Sequence, residues 1–406
     1  MDNNRKIRVA ITHGDTNGIG YELIFKAFQS QEILDLCTPI IYGSPKIAAY
    51  HHNALDSDVK FSIINDAREA QDGRLNLLTV FDEDVKVEIG TPTEESGEAG
   101  LRAIDRALAD YQEGLFDVLV TAPIDNNDAF HFSGQSRYIE DHMECDGQGL
   151  SILTSEKLRV ALETRNLPLK QVAESITKDS IKATARKFYD SLRRDFRISN
   201  PRIAVLSLNP KAGDNGLLGT EEQDIIRPAI EELAKEDVET FGPYAADQLF
   251  GSGDYDYFDG IIAMYYDQGL APFRSIAPED GVNYTAGLPL VRTAPEMGAS
   301  FQIAGRNEAD ATSMLHAIYL AIDVFRHRQE YDEALENPLP KLYKEKRDES
   351  DKVRYAIPKK REDRIPRHDD DSTAGSKDKG KEKDRTNRKT DTKDPMRGRI
   401  RQKDCK

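Results

Sequence analysis

A chain of 406 residues, 38% hydrophobic and 32% charged, is long enough for two or three domains and a large core. Its net charge of −16 is uneven: residues 351–406 hold 20 Lys+Arg against 12 Asp+Glu, so the remainder carries −24 and should repel nucleic acid. No apolar run approaches the ~18 residues of a membrane span, the polar start MDNNRKIRVAITHGD has no signal-peptide region, and Cys37, Cys145 and Cys405 lie far apart, which argues against a zinc knuckle and points to the cytoplasm.

Ile7 to Thr12 reads as a first strand, followed by a glycine-rich turn, His13 to Gly20, and a helix over Tyr21 to Ala27. Such a turn either offers backbone N–H groups to a phosphate or packs a strand tightly on a helix; it lacks the third glycine of a dinucleotide fingerprint. His13 beside it is a candidate ligand contact, whereas the other histidines suit ordinary surface or half-buried roles. Strands are predicted over Pro39–Tyr42, Leu75–Phe81, Val118–Ile124, Leu158–Leu162, Arg202–Leu208 and Ile261–Met264. Helical spacing marks Glu98–Glu113, Leu169–Tyr189, Glu221–Glu236 and Asp310–Tyr331, with a turn-rich loop over Asn209–Gly216. This alternation predicts an α/β fold with a largely parallel sheet.

The stretch from Gly260 to Asn307 organises the rest. Its apolar strand breaks into Tyr265-Tyr266-Asp267-Gln268-Gly269, polar groups ending in what reads as a turn glycine. Polar side chains at the end of a buried strand are well placed for a ligand. Arg274, Asn283 and Arg292 follow among glycines and prolines, the mixture that holds a small anion. Beyond about Asn337 apolar residues thin out and mixed charges run to the end, so residues 334–406 read as a disordered charged tail.

Several segments, in register from about Ile7 to Arg328, resemble the 4-hydroxythreonine-4-phosphate dehydrogenase family of pyridoxal phosphate biosynthesis. They are Thr121-Ala122-Pro123-Ile124, Leu208-Asn209-Pro210, Asp267-Gln268-Gly269-Leu270, Gly281-Val282-Asn283, Gly287-Leu288-Pro289, Arg292-Thr293 and Ile303-Ala304-Gly305. The resemblance implies a two-domain α/β/α fold like isocitrate dehydrogenase, with residues 1–125 and 270–333 in a first domain and 126–269 in a second carrying dimer contacts. It also implies a homodimer, NAD or NADP as oxidant, and a phosphorylated small-molecule substrate, oxidised and then decarboxylated with the help of a divalent metal acting as a Lewis acid.

The chain departs from that pattern where the family's THLPL, NPHAG and YHDQG supply metal-binding histidines. Here Asn166, Lys211 and Tyr266 stand in those places, a weak ligand, a cation and a neutral phenol, so no metal site is expected. GHTE becomes Gly134-Gln135-Ser136-Arg137, TAPINK ends in Asp125-Asn126, and DHGT followed by DIAG becomes Glu296-Met297-Gly298-Ala299 and Gln302-Ile303-Ala304-Gly305. The resemblance assigns substrate binding to Gln135, Ser136, Arg274, Asn283 and Arg292. Catalysis falls to Lys211 as positive charge, Tyr266 as general acid and Asp267 as a remaining carboxylate, with Asp247 beside it. Three readings follow: a working dehydrogenase of this family, a non-catalytic relative that binds a phosphorylated ligand, or a dehydrogenase of another four-carbon phosphorylated acid.

Overall fold

Alternating apolar strands and amphipathic helices build one continuous twelve-stranded sheet. The computed structural model describes residues 5–81, 85–125, 134–145 and 147–337; the charged tail beyond these, with His368 and Cys405, lies outside the described residues, as do Asn126 and His131. The strands are β1 (Ile7–Thr12), β2 (Cys37–Gly43), β3 (Phe61–Ile64), β4 (Leu75–Thr79), β5 (Val118–Thr121) and β6 (Leu150–Thr154), then β7 (Arg159–Leu162), β8 (Ile203–Leu206), β9 (Thr240–Tyr244), β10 (Gly260–Ala263), β11 (Val282–Ala286) and β12 (Val291–Pro295). Their order is β3-β4-β2-β1-β5-β12-β11-β6-β7-β10-β8-β9. Neighbours are parallel except at β12/β11, β11/β6 and β6/β7. The β11–β12 hairpin is therefore spliced between β5 and β6, bridging early and middle parts of the chain.

Helices cover both faces, which is why central strands read as unbroken apolar runs. Val118 and Val120 of β5 join the cluster that includes Ile318 and Ile322 of helix Thr312–Glu336, while Leu119 turns to Ile104 and Leu108 of helix Glu94–Gln112. Each such aliphatic side chain, fully buried, contributes roughly 1.5–3 kcal/mol. Helix Glu94–Gln112 starts at a reciprocal cap: Thr93 Oγ1 accepts from Ser96 N at 3.2 Å and Ser96 Oγ from Thr93 N at 3.3 Å.

Three readings of the sequence change here. The single helix predicted over Leu169–Tyr189 is two, Leu169–Ser175 and Lys178–Arg194, because Thr177 and Ser180 form a second reciprocal cap that starts a new helix. Gly269 is no turn residue but sits inside helix Tyr266–Ile276, where an added Cβ would lie 2.8 Å from Leu162 Cδ2 and 3.1 Å from Val160 Cγ1. It is there so that the helix can press on β7. Finally β3, β6, β9, β11 and β12 are strands that the hydropathy pattern does not mark.

Candidate active site

Arg292 stands on β12 beside β5, and the register Thr293↔Val120 brings its guanidinium to the end of β5. It is 3% exposed. Its Nε and Nη2 donate to Thr121 Oγ1 (3.1 and 2.6 Å), Nη2 also to Gln135 Oε1 (3.1 Å), and Nη1 to Ser136 Oγ (2.9 Å), Thr285 Oγ1 (3.3 Å) and Asn283 Oδ1 (3.4 Å). All these acceptors are neutral. Burial pushes the Arg292 pKa down to about 10; Glu296 opposes the shift and Arg165 adds to it. A buried cation without a directly bonded carboxylate is costly alone and favours an anion nearby.

The rest of the predicted anion contacts gather round it. Gln135 and Ser136 open helix Gln135–His142, and Gln135 Nε2 fixes its side chain on Ala122 O at 2.8 Å. Asn283 Nδ2 and Arg274 Nη2 each donate to Glu296, at 3.2 Å to Oε2 and Oε1 respectively. A cavity of ≈ 280 Å³ opens on Arg274 and Glu296, lined also by Phe273, Gly281, Met297 and Ser313. Glu296, Thr121, Thr285 and Arg165 escape sequence reasoning as site residues. For Thr121 the signal was its place before a strand-ending proline.

Lys211, Asp247 and Asp267 line a second cleft, of ≈ 350 Å³, on another side of helix Tyr266–Ile276. Lys211 has φ 53°, within the left-handed run Lys211 to Asn215. Non-glycine residues there are strained, a feature that clusters at functional sites. Buried Glu222 holds the loop, its Oε1 accepting from Leu208 N (2.9 Å) and Asn209 N (2.7 Å). Gln268 ties the helix start to β8 and β10 by accepting from Met264 N and donating to Ser207 O, both at 2.7 Å. Tyr266 is not in this cleft: it is 43% exposed, and burial of the rest of its ring, then Glu296, raises its phenol pKa, with Arg274 opposing. Asn166 is exposed just past β7.

This donor set does not fit a divalent metal. An ammonium occupies the cleft with two carboxylates, and no three His, Cys, Asp or Glu side chains among the described residues come close enough to share an ion.

The glycine-rich turn is packed rather than open. The amides of Asp15, Asn17, Gly18 and Ile19 already donate to Pro123 O, Asp15 Oδ1, Asp15 O and Ala299 O. Cβ atoms on Gly14 and Gly20 would meet Pro123 O at 2.4 Å and His13 O at 2.0 Å. The packing explanation of these glycines therefore holds, and the loop does not fit a pyrophosphate. His13 is fully buried, its ring stacked 5.2 Å from Tyr21. A further cavity, of ≈ 720 Å³, lies by Phe25, Lys26 and Phe61 and touches none of the predicted site residues.

Comparison with known proteins identifies the chain's relatives. The chain is 53% identical over 353 residues to a 4-hydroxythreonine-4-phosphate dehydrogenase of Bacteroides thetaiotaomicron, covering 86% of this chain and 97% of that protein. It is 32% identical to a putative D-threonate 4-phosphate dehydrogenase of Oceanobacillus iheyensis, covering 79% and 98%. Among solved structures, the 4-hydroxythreonine-4-phosphate dehydrogenase of Klebsiella pneumoniae superposes with a TM-score of 0.68 at 29% identity, covering 80% of this chain and 99% of that one. The model of the pyridoxal phosphate biosynthetic protein PdxA matches residues 35–321. With the motifs in register and the relatives covered nearly end to end, this chain belongs to the PdxA family.

Proposed function

We propose that the chain is a dehydrogenase of a phosphorylated four-carbon hydroxy acid, of the class of 4-phosphohydroxy-L-threonine, with NAD or NADP as hydride acceptor. The observation that carries this is the buried Arg292 guanidinium backed by Ser136, Asn283 and Gln135, a set suited to a phosphate group. Arg274 adds a second guanidinium from the facing helix.

In this reading the substrate's phosphate lies at Ser136, Asn283 and Arg274, with Arg292 behind them. A bound nicotinamide would supply the acceptor for the hydride that leaves the carbinol carbon. Asp267 accepts the hydroxyl proton, and the Lys211 ammonium stabilises negative charge on the same oxygen. When the resulting β-keto acid releases carbon dioxide, its C–C bonding pair passes into an enolate. Lys211 again stabilises that oxygen, and solvent in the cleft protonates the carbon, since Tyr266 lies outside it. No step is assigned to a metal.

Two lobes, residues 1–125 with 270–333 and residues 126–269, accord with the strand order, since β6 to β10 lie together at one end of the sheet. A homodimer is supported by exposed Leu167, Leu169, Leu217 and Leu218. A cytoplasmic location accords with the free thiols of Cys37 and Cys145; no helix among the described residues is long and apolar enough to cross a membrane.

The test is cofactor reduction by purified protein with 4-phosphohydroxy-L-threonine and, separately, D-threonate 4-phosphate. Reduction with the first is expected. Reduction with the second alone would move the substrate to the other four-carbon acid, a reading that the Oceanobacillus relative favours. Phosphate binding without reduction of either would make the chain a non-catalytic relative.

A further inference from the structure

Glu296 sits among the groups assigned to phosphate, yet it carries the same sign of charge as the ligand. Its two oxygens take one donor each from Arg274 and Asn283, at 3.2 Å, and its side chain is only 10% exposed. The carboxylate is not needed to fix the end of β12. Glu296 N already donates to Gly281 O (3.0 Å) and to Ser313 Oγ (3.1 Å). The side chain is thus free to serve the pocket.

We infer that Glu296 is the resident anion of this pocket, occupying the donors a phosphate would use, so that a phosphorylated ligand binds by displacing its carboxylate. The inference rests on the anion-binding reading given above. The local charge explains why a resident anion helps. Arg274 bonds Glu296 directly, Arg292 is buried with neutral acceptors only, and Arg165 is close enough to Arg292 to disfavour its charge. Arg165 has a carboxylate of its own in Glu140, at 3.8 Å, so Glu296 is the one that offsets Arg274 and Arg292 when the ligand is absent. Arg274 is the exposed member, at 53%, and can follow the phosphate once Glu296 lets go. The two side-chain methylenes of Glu296 give it the reach to span both donors.

Isothermal titration of the full-length protein with inorganic phosphate, at fixed pH and ionic strength, tests the idea. Because the arginine of this pair is half exposed and the pair therefore weak, E296Q should bind phosphate about fivefold more tightly than the parent protein. E296A should move in the same direction, and both should melt cooperatively. If either melts without cooperativity, Glu296→Asp, which cannot reach both donors, replaces it and should also tighten binding. Unchanged or weaker binding in the variants, with binding retained by the parent, overturns the inference alone. Phosphate bound by none of these proteins overturns the anion-pocket reading and the inference together.

Discussion

Arg328 and Asp195, 133 residues apart, meet inside the core, with Arg328 Nε donating to Asp195 Oδ1 at 2.7 Å. Tyr284 of β11 closes the contact: its hydroxyl donates to Asp195 Oδ2 at 2.6 Å and accepts from Arg328 Nη2 at 2.8 Å. Helix Lys178–Arg194, the hairpin and helix Thr312–Glu336 are thereby pinned together. Removing one partner leaves a buried charge unpaired. Arg328→Met should therefore lower stability by about 3–5 kcal/mol in urea unfolding. A loss below about 1 kcal/mol would show that the network is not rigid.

Arg292→Lys keeps a positive charge but loses the planar fork that reaches Thr121, Gln135 and Ser136 together. Phosphate affinity should fall about 10–100-fold by calorimetry. Unchanged affinity would place the phosphate elsewhere.

The cleft of Lys211, Asp247 and Asp267 should take up no zinc in a titration followed by elemental analysis. Lys211→His should gain at least about tenfold in zinc affinity, since an imidazole then replaces the cation beside Asp247 and Asp267. Tight zinc binding by the parent protein, with no gain in the variant, would show that the ammonium does not exclude a metal.

His13 gives the fold an acid limit. Burial lowers its pKa to about 4, with His51 adding to the effect, so the folded protein keeps it neutral. The unfolded chain takes up a proton below about pH 6.5. The contribution is therefore fully present above about pH 6.5 and is lost as pH falls towards 4, for a total of roughly 3 kcal/mol. His13→Phe, which retains stacking on Tyr21, should flatten that part of the stability–pH curve measured by urea unfolding. An unaltered slope would assign acid sensitivity to other groups.

How much of this was legible in sequence depends on what each residue had to signal. β1 was legible because Ile7 to Thr12 is apolar and bounded by a turn. β12 was not, since a strand whose five residues are all buried includes Arg292, and a buried guanidinium defeats hydropathy. Gly269 misled for a related reason: absence of a side chain marks close packing as often as a turn. Among site residues, the contacts of Arg292 with Ser136 and Asn283 were anticipated as one pocket. Tyr266 facing away from Lys211 was not, because adjacent residues at a helix start point to different sides and only coordinates decide which.

The spliced hairpin also governs how the chain can be made. β5 and β6 leave the ribosome long before β11 and β12, their partners in the finished sheet. Until residue 295 has emerged, a growing chain exposes one unpaired edge on β5 and another on β6, both apolar. Such edges invite pairing between nascent chains and delay closure of the sheet until β12 has emerged. A chain truncated at residue 281 should accordingly aggregate in a sedimentation assay, whereas one that includes helix Thr312–Glu336 should not. Synthesis of this protein is thus exposed to aggregation from the emergence of β5 to that of β12.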